Sequence, residues 1–230
     1  WGKVNLDTVP KEIRERIRHF PISPELSDPE QGKIRMAAYW ASLAQLDDNV
    51  GRLLAAVREL GLEENTIVVY TSDHGDMLGD HGLWDKYVFY EQSARVPLLI
   101  RVPGMTAGGA RSKTPVSQVQ LPATLLELCG LPVPSGLDDG SFAIDVREPR
   151  VTRDTTAYCE FSLRTPNARS MIRRGDFKYS YYLNDMPELY NLREDPDEMR
   201  NLALLPEYKD KADEMHARLL DWHGQIGPRP

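Results

Sequence analysis

Residues Thr66 to Gly104 read TIVVYTSDHGDMLGDHGLWDKYVFYEQSARVPLLIRVPG, and the rest of the chain is organised around them. The stretch opens on Ile67, Val68, Val69 and Tyr70, a β-branched and aromatic run that favours a strand. That run breaks at Asp73-His74-Gly75, and His81 and Lys86 follow in a short polar loop. A second apolar run then extends from Val96 to Val102. Two strand-like segments thus bracket most of the side chains able to bind a metal or an anion.

Upstream, Pro29 to Leu60 carries Ile34, Ala37, Ala38, Ala41, Ala44 or Leu46, Val50, Leu53, Leu54, Val57 and Leu60 at three- and four-residue steps. That period predicts an amphipathic helix, with Gly61 as its stop. A short loop, Leu62 to Asn65, leads into the strand Thr66–Thr71. Helix followed by strand is half of a βαβ unit, so the fold class is α/β and a mostly parallel sheet is expected. The strand lacks alternation, which suits a central strand covered on both faces. Nearer the start, Thr8 can cap a short helix with Ile13, Ile17 and Phe20 on one face, before Pro21, Pro24 and Pro29 break it.

Downstream, a loop at Gly108-Gly109 precedes a short strand expected near Lys113–Val116. Pro122 opens a helix over Ala123 to Leu128, which ends at Gly130. Pro132, Pro134, Gly136 and Gly140 then mark a turn-rich region. A domain boundary is placed between about 135 and about 155, dividing 1–145 from 146–230. Beyond it, Thr156–Phe161, Ser170–Arg174 and Phe177–Leu183 read as short strands, with a tight Arg174-Gly175-Asp176 turn. Close spacing suggests a small antiparallel sheet. Tyr208, Ala212, Met215, Leu219 and Trp222 define a terminal helix that covers one face of it.

The 230 residues suit one large domain, or one medium domain plus a small one. A net charge of -7 argues against a nucleic-acid-binding surface but is compatible with a local cationic pocket. No run approaches the roughly 18 apolar residues that span a bilayer, so no membrane partner is expected. The start, Trp1-Gly2-Lys3-Val4, is neither a methionine nor a charged-then-apolar leader, which hints at processing or a fragment and leaves the compartment open. Cys129 and Cys159 sit in no C-x-x-C pair. They read as two buried small hydrophobes, with a single disulfide as the alternative.

In open α/β sheets ligands collect outside the carboxyl ends of the strands, which is where Asp73 and His74 stand. A carboxylate beside a neutral imidazole is a partial shell for a divalent cation. Two ligands do not complete a site. The alternative is that Asp73 caps the next segment and His74 is a loop histidine. Gly75 lets the backbone turn sharply or approach a ligand closely. Lys86 can bind an anionic ester oxygen and offset charge developing on it. His81 can contact that anion or protonate a leaving group. The competing roles are a solvated lysine and a turn histidine. Arg95 reads as an ion-pair partner of Glu91. Trp84, Tyr87, Phe89 and Tyr90 either line a pocket or pack in the core.

The Thr66–Gly104 string resembles the late metal-binding segment of the sulfatases, within the alkaline phosphatase superfamily. AAYWASLAQLDDNVGRLLAAVRELGLEENT is similar to the helix that precedes it in that family. VSQVQLPATLLELCGLPVP resembles a following segment, with Gln120 where an aspartate is common. MIRRGDFKYSYYLNDMPELYNLREDPDEMRNLA is similar to the small C-terminal domain. The resemblance runs from about Gly32 to Ala203. It implies an alkaline-phosphatase-like mixed sheet flanked by helices, in part, followed by a small antiparallel sheet with a helix. It also implies Asp73 and His74 as metal ligands, Lys86 as the sulfate-binding lysine and His81 as a substrate contact. The implied metal is calcium, with manganese, magnesium or zinc as alternatives. The implied substrate is a sulfated small molecule or carbohydrate.

Sulfatases also carry a C/S-x-P-x-R motif whose cysteine or serine becomes formylglycine, the hydrated-aldehyde nucleophile. No such motif occurs in these 230 residues, nor do the paired aspartates that complete the metal shell. The resemblance therefore implies a C-terminal portion, inactive alone, whose partner is a missing N-terminal half holding the formylglycine. Exposed apolar surface and self-association are expected of such a portion. The activity expected of the whole is sulfuric ester hydrolysis. The alternatives are a phosphonate or phosphodiester hydrolase of the same superfamily, and a non-catalytic binding module.

Overall fold

The computed structural model of the chain describes residues 5–19, 29–105, 108–137, 140–161 and 168–226. Helix α1 spans Lys11–His19 and buries Val9 and Ile13 at its start. Phe20, Pro21 and Pro24 lie outside the described residues. Helix α2 spans Pro29–Glu59. It stops as its sequence predicts: Gly61 has φ +67°, its N–H donates to Arg58 O at 3.0 Å, and Leu62 N–H donates to Val57 O at 3.0 Å. This paired closure needs the left-handed backbone that glycine adopts without strain. The apolar positions of α2, however, meet no core. Ile34, Trp40, Leu46, Leu53 and Leu54 are exposed, Leu53 at 68%. The helical period is satisfied, but the described residues supply no surface to cover it.

Strand β1 spans Val68–Thr71, the single-turn helix α3 spans Glu91–Ala94, and strand β2 spans Leu98–Arg101. β1 and β2 pair antiparallel, with Val68 opposite Arg101 and Thr71 opposite Leu98. The parallel setting expected of β1 is not seen among the described residues, where β2 is its one neighbour. All four β1 residues are half-buried rather than sealed.

The strand expected near Lys113–Val116 does not form. Pro115 has no N–H to give to a ladder. Side chains make the connection instead: Thr114 Oγ1 accepts from Arg153 N–H at 3.1 Å, and Pro115 O accepts from the Thr155 hydroxyl at 2.7 Å. Helix α4 spans Leu121–Leu128, starting two residues early because Ser117 and Gln120 form a capping box just upstream. Helix α5 spans Ala143–Arg147. Cys129 and Cys159 are both free and exposed, so neither the buried nor the disulfide expectation holds. Cys129 is the residue that caps α4, and Cys159 lies on an edge strand.

Four strands follow: β3 (Thr156–Phe161), β4 (Arg169–Arg174), β5 (Phe177–Tyr182) and β6 (Glu188–Asn191). They form an antiparallel meander in chain order. The period of two sorts their side chains onto two faces. Ile172, Tyr179 and Leu189 pack against Met215, Leu219 and Trp222 of helix α6, Lys209–Ile226. Each such buried side chain contributes roughly 1.5–3 kcal/mol, so α6 is held by its apolar face. Tyr182 and Tyr190 belong to the opposite face, where they pack with Val9, Ile13, Met77, Leu83, Val88 and Tyr90. By alternation Lys178 and Glu188 share that face, each only 1% exposed. The small sheet therefore has an oily face for α6 and a polar, buried face for α1 and the 76–90 loop.

Candidate metal and anion site

The chain leaves β1 at Ser72, whose hydroxyl donates to the His74 carbonyl at 2.9 Å. The Gln118 side-chain amide donates to Ser72 O at 2.5 Å and to Thr71 Oγ1 at 3.1 Å, tying this exit to the turn before α4. The resemblance singled out Gln120, but Gln118 makes this contact, and Gln120 Oε1 instead accepts from Ser117 N–H at 2.9 Å. Gly75 N–H donates to Ser93 O at 2.8 Å. A Cβ at this position would lie 1.9 Å from Gln92 O. Only glycine fits where the loop is pressed onto α3.

Asp73 and His74 point together. Asp73 Oδ1 accepts from His74 N–H at 3.0 Å, and that bond holds the carboxyl below its ordinary pKa. Its Oδ2 is 3.3 Å from His74 Nε2. His74 Nδ1 is 2.7 Å from Gly75 O, which can only accept, so Nδ1 carries the proton. Lys86 Nζ is 2.5 Å from Nε2, and an ammonium can only donate, so Nε2 presents its lone pair. Two neighbours thus fix one tautomer.

A carboxylate oxygen and an imidazole lone pair 3.3 Å apart can both reach one cation at about 2.0–2.4 Å. Donation of the other ring N–H to a backbone carbonyl is the usual outer contact of a metal-binding histidine. Among the described residues no group of three or more His, Cys, Asp or Glu converges, so Asp73 and His74 bring together two donors only.

Lys86 is held by an unusual backbone. It stands between Asp85 (φ 68°) and Tyr87 (φ 77°), and Leu78 and His81 in the same loop also have positive φ. Each such non-glycine residue costs on the order of 1–2 kcal/mol. The loop is braced against that cost. Asp76 Oδ1 accepts from Leu78 N–H at 2.9 Å and Asp85 N–H at 3.1 Å, and Met77 N–H donates to Asp85 O at 2.8 Å.

His81 does not join this group. It is 4% exposed, and its ring stacks on Tyr90 with centroids 4.0 Å apart. Among the described residues neither ring nitrogen has a well-aligned hydrogen-bond partner. Burial pushes its pKa down, against the Asp197 backbone and the Asp80 carboxylate. The residue type suggested a substrate contact, whereas the structure places the ring within the core. Phe89 and Tyr90 are core residues too, while Tyr87 remains exposed beside Lys86. Arg95 does pair with Glu91, at 3.9 Å, but Lys178 at 2.9 Å and Arg173 at 3.0 Å hold that carboxylate more closely.

Behind the loop, three hydroxyls converge on the buried Glu188: Tyr90 and Tyr182 at 2.7 Å and Tyr190 at 2.9 Å. Burial raises the Glu188 pKa, and the hydroxyls oppose it. Burial also acts to raise Glu91, but Lys178 and Arg173 outweigh it and hold the carboxyl below its ordinary value. Glu198 Oε2 accepts from Glu91 N–H at 2.6 Å, and its Oε1 lies 2.5 Å from Lys178 Nζ. Burial pushes Glu198 up to about 7, against the lysine. Nothing in the sequence marks these residues: Glu188 opens a short strand, Glu91 a single helical turn, and Glu198 lies in an acidic run with Glu194, Asp195 and Asp197.

Comparison with known proteins places the chain. A family model described as Sulfatase matches residues 18–131, and one described as N-sulphoglucosamine sulphohydrolase, C-terminal, matches residues 79–225, more than half of the chain. The N-acetylglucosamine-6-O-sulfatase of Bacteroides thetaiotaomicron is 34% identical over 189 residues, which is 78% of this chain and 34% of that protein. A protein solved in complex with its substrate D-glucosamine-2-N,6-O-disulfate superposes with a TM-score of 0.72 at 34% identity, over 80% of this chain and 39% of its own. The phosphonate monoester hydrolase of Agrobacterium radiobacter gives a TM-score of 0.73 at 30% identity, over 83% of this chain and 41% of its own. The chain thus spans about a third to two fifths of the length of these relatives.

Proposed function

This chain belongs to the sulfatase family, and we propose that Asp73, His74 and Lys86 form one side of the active site of a sulfuric ester hydrolase. The observation that carries this is the convergence on His74 Nε2, with a carboxylate oxygen at 3.3 Å and an ammonium at 2.5 Å. Sulfatases are generally metal-dependent. Asp73 Oδ2 and His74 Nε2 would hold the divalent cation, which when bound supplies Lewis-acid polarisation of the sulfate oxygens. Calcium is the cation the resemblance implies, with manganese, magnesium or zinc as alternatives; the Asp73 oxygen suits calcium, manganese or magnesium, whereas the His74 nitrogen suits zinc better. The Nε2 lone pair serves one partner at a time. With the imidazole engaged, the Lys86 ammonium donates to an anionic ester oxygen and offsets charge developing there. His81 would support the loop by stacking on Tyr90, not by meeting the ester.

The rest of the site would come from residues outside this sequence. These 230 residues contain no C/S-x-P-x-R run, and the relatives are more than twice as long. The formylglycine nucleophile and the further metal ligands belong to that portion in this reading. The exposed apolar residues of α2 and the half-covered β1 fit a surface that such a portion covers, and self-association of the chain is the outcome without it. Residues 1–145 would be the later part of the catalytic domain and 146–230 the small subdomain.

A sulfated carbohydrate is the proposed substrate class, from the relative bound to a disulfated glucosamine. A second reading, phosphonate monoester hydrolysis, is favoured by the similarity to the Agrobacterium enzyme. The same cation and lysine suit either tetrahedral anion. Side-by-side kcat/KM values for an aryl sulfate and an aryl phosphonate monoester, on the full-length protein, separate the two. A higher value for the sulfate supports the first reading, and the reverse order supports the second.

A further inference from the structure

We propose that Lys178 and Glu198, two buried residues of the small sheet domain, are positioning residues for the Asp73–His74 loop, acting through Glu91 and helix α3. This rests on the reading of that loop as the metal and anion site.

The connection is continuous. Lys178 Nζ is 2.9 Å from Glu91 Oε1 and 2.5 Å from Glu198 Oε1. Glu198 Oε2 accepts the Glu91 backbone N–H at 2.6 Å, and Arg173 Nη1 holds Glu91 Oε2 at 3.0 Å. Glu91 opens α3, so both the carboxylate and the N–H at the start of that helix are clamped from the sheet domain. A four-residue helix cannot fix its own position, because one turn does not offset the entropy of ordering it. Its far end carries Ser93 O, the acceptor for Gly75 N–H at 2.8 Å, and Gln92 O fills the space a Cβ at Gly75 would need. Gly75 O in turn holds His74 Nδ1 at 2.7 Å and so sets the tautomer of the ring. The path therefore runs Lys178 and Glu198, Glu91, Ser93, Gly75, His74.

Two further observations favour a positioning role over a purely stabilising one. Lys178 is 1% exposed and Glu198 2%. Buried ion pairs of this kind add little net stability over well-packed apolar residues, because desolvation offsets most of the attraction. Glu198 also has φ +55°, a left-handed conformation unfavourable for a non-glycine residue. Its carboxylate is thus delivered to Lys178 and Glu91 N–H at a local backbone cost.

The test is amide hydrogen exchange on the full-length protein, comparing wild type with Lys178→Met and Glu198→Gln. Lys178→Met leaves the two carboxylates facing each other and should release Glu91. Exchange in residues 72–79 should speed up by about tenfold or more, while amides of β4 and β5 change by less than about threefold. Glu198→Gln keeps an acceptor for Glu91 N–H but loses the charge, and should accelerate the same segment by a smaller factor. If Lys178→Met does not fold, Glu198→Gln decides alone. Unchanged exchange at 72–79 in a folded variant, or acceleration spread evenly over the sheet, overturns the proposal. Exchange needs no turnover, so this outcome is independent of whether Lys86→Met affects sulfate release, which tests the site itself.

Discussion

Lys86 Nζ lies 2.5 Å from His74 Nε2, so the cation of the loop sits on the lone pair that a metal would take. The other ring nitrogen is occupied by Gly75 O at 2.7 Å. The imidazole is therefore held in one orientation, with the Lys86 ammonium against one ring nitrogen and the Gly75 carbonyl against the other. Groups aligned in advance need little reorganisation when charge develops.

In the proposed site, replacing that ammonium should weaken the hold on the anion and leave the fold intact. Lys86→Met in the full-length protein should lower kcat for a sulfate ester by about 10²-fold or more. Lys86→Arg should restore little of it, because a planar fork does not replace a compact point charge. Steady-state kinetics measure both. A Lys86→Met enzyme within about threefold of wild type would remove the lysine from the site.

Two glycines should respond oppositely to alanine. At Gly75 a Cβ meets Gln92 O at 1.9 Å, so Gly75→Ala should destabilise by about 1–3 kcal/mol and loosen the site loop. At Gly51, within α2, nothing lies within 4 Å of the added carbon. Gly51→Ala should be neutral to stabilising, by up to about 1 kcal/mol. Urea unfolding of the two variants checks the contrast.

Glu198 should leave a signature in the pH dependence of stability. Its pKa rises from 4.5 to about 7 on folding. The folded state thus binds that proton more tightly, and the contribution is full below 4.5 and lost as pH rises through about 7. Glu91 and His81 act in the opposite sense. Both are depressed on folding, so their contributions are lost as pH falls. Comparison with Glu198→Gln cancels the groups common to both proteins. Urea midpoints from about pH 5 to about pH 8 should show wild type losing stability relative to the variant as pH rises. Parallel curves would show that Glu198 does not titrate in this range.

Tyr90→Phe removes one of the three tyrosine donors to Glu188, which is 1% exposed. The cost should be about 1–3 kcal/mol, seen as a lower urea midpoint. The ring is unchanged, so the stack on His81 should persist and Lys86 should keep its place.

Much of this was legible in the residues because it depends on local pattern. The α2 period, the Gly61 stop, the β1 run and the α6 stripe each reflect backbone geometry that a few neighbours decide. The grouping of Asp73, His74 and Lys86 was reachable through the resemblance, since the loop that joins them is contiguous. What was not legible depends on distant neighbours. His81 has the chemistry of a proton donor, but its burial against Tyr90 is settled by α1 and β6, far away in the chain. Strand β6 carries a glutamate and a tyrosine that look solvent-facing until three hydroxyls enclose the carboxylate. Lys178 looks like any strand lysine, and only the fold brings Glu91 and Glu198 to it. The α2 stripe shows the converse: a period can announce a buried face without revealing what covers it.

The most direct test is metal-dependent sulfate release by the full-length protein, comparing wild type with Asp73→Asn and His74→Ala. Chelation should abolish release by wild type, and added divalent cation should restore it. Both variants should need much more cation for half-maximal rate, or lose about 10²-fold or more in turnover. Release that survives chelation, or variants whose cation requirement and turnover match wild type, would contradict the assignment of Asp73 and His74 as metal ligands.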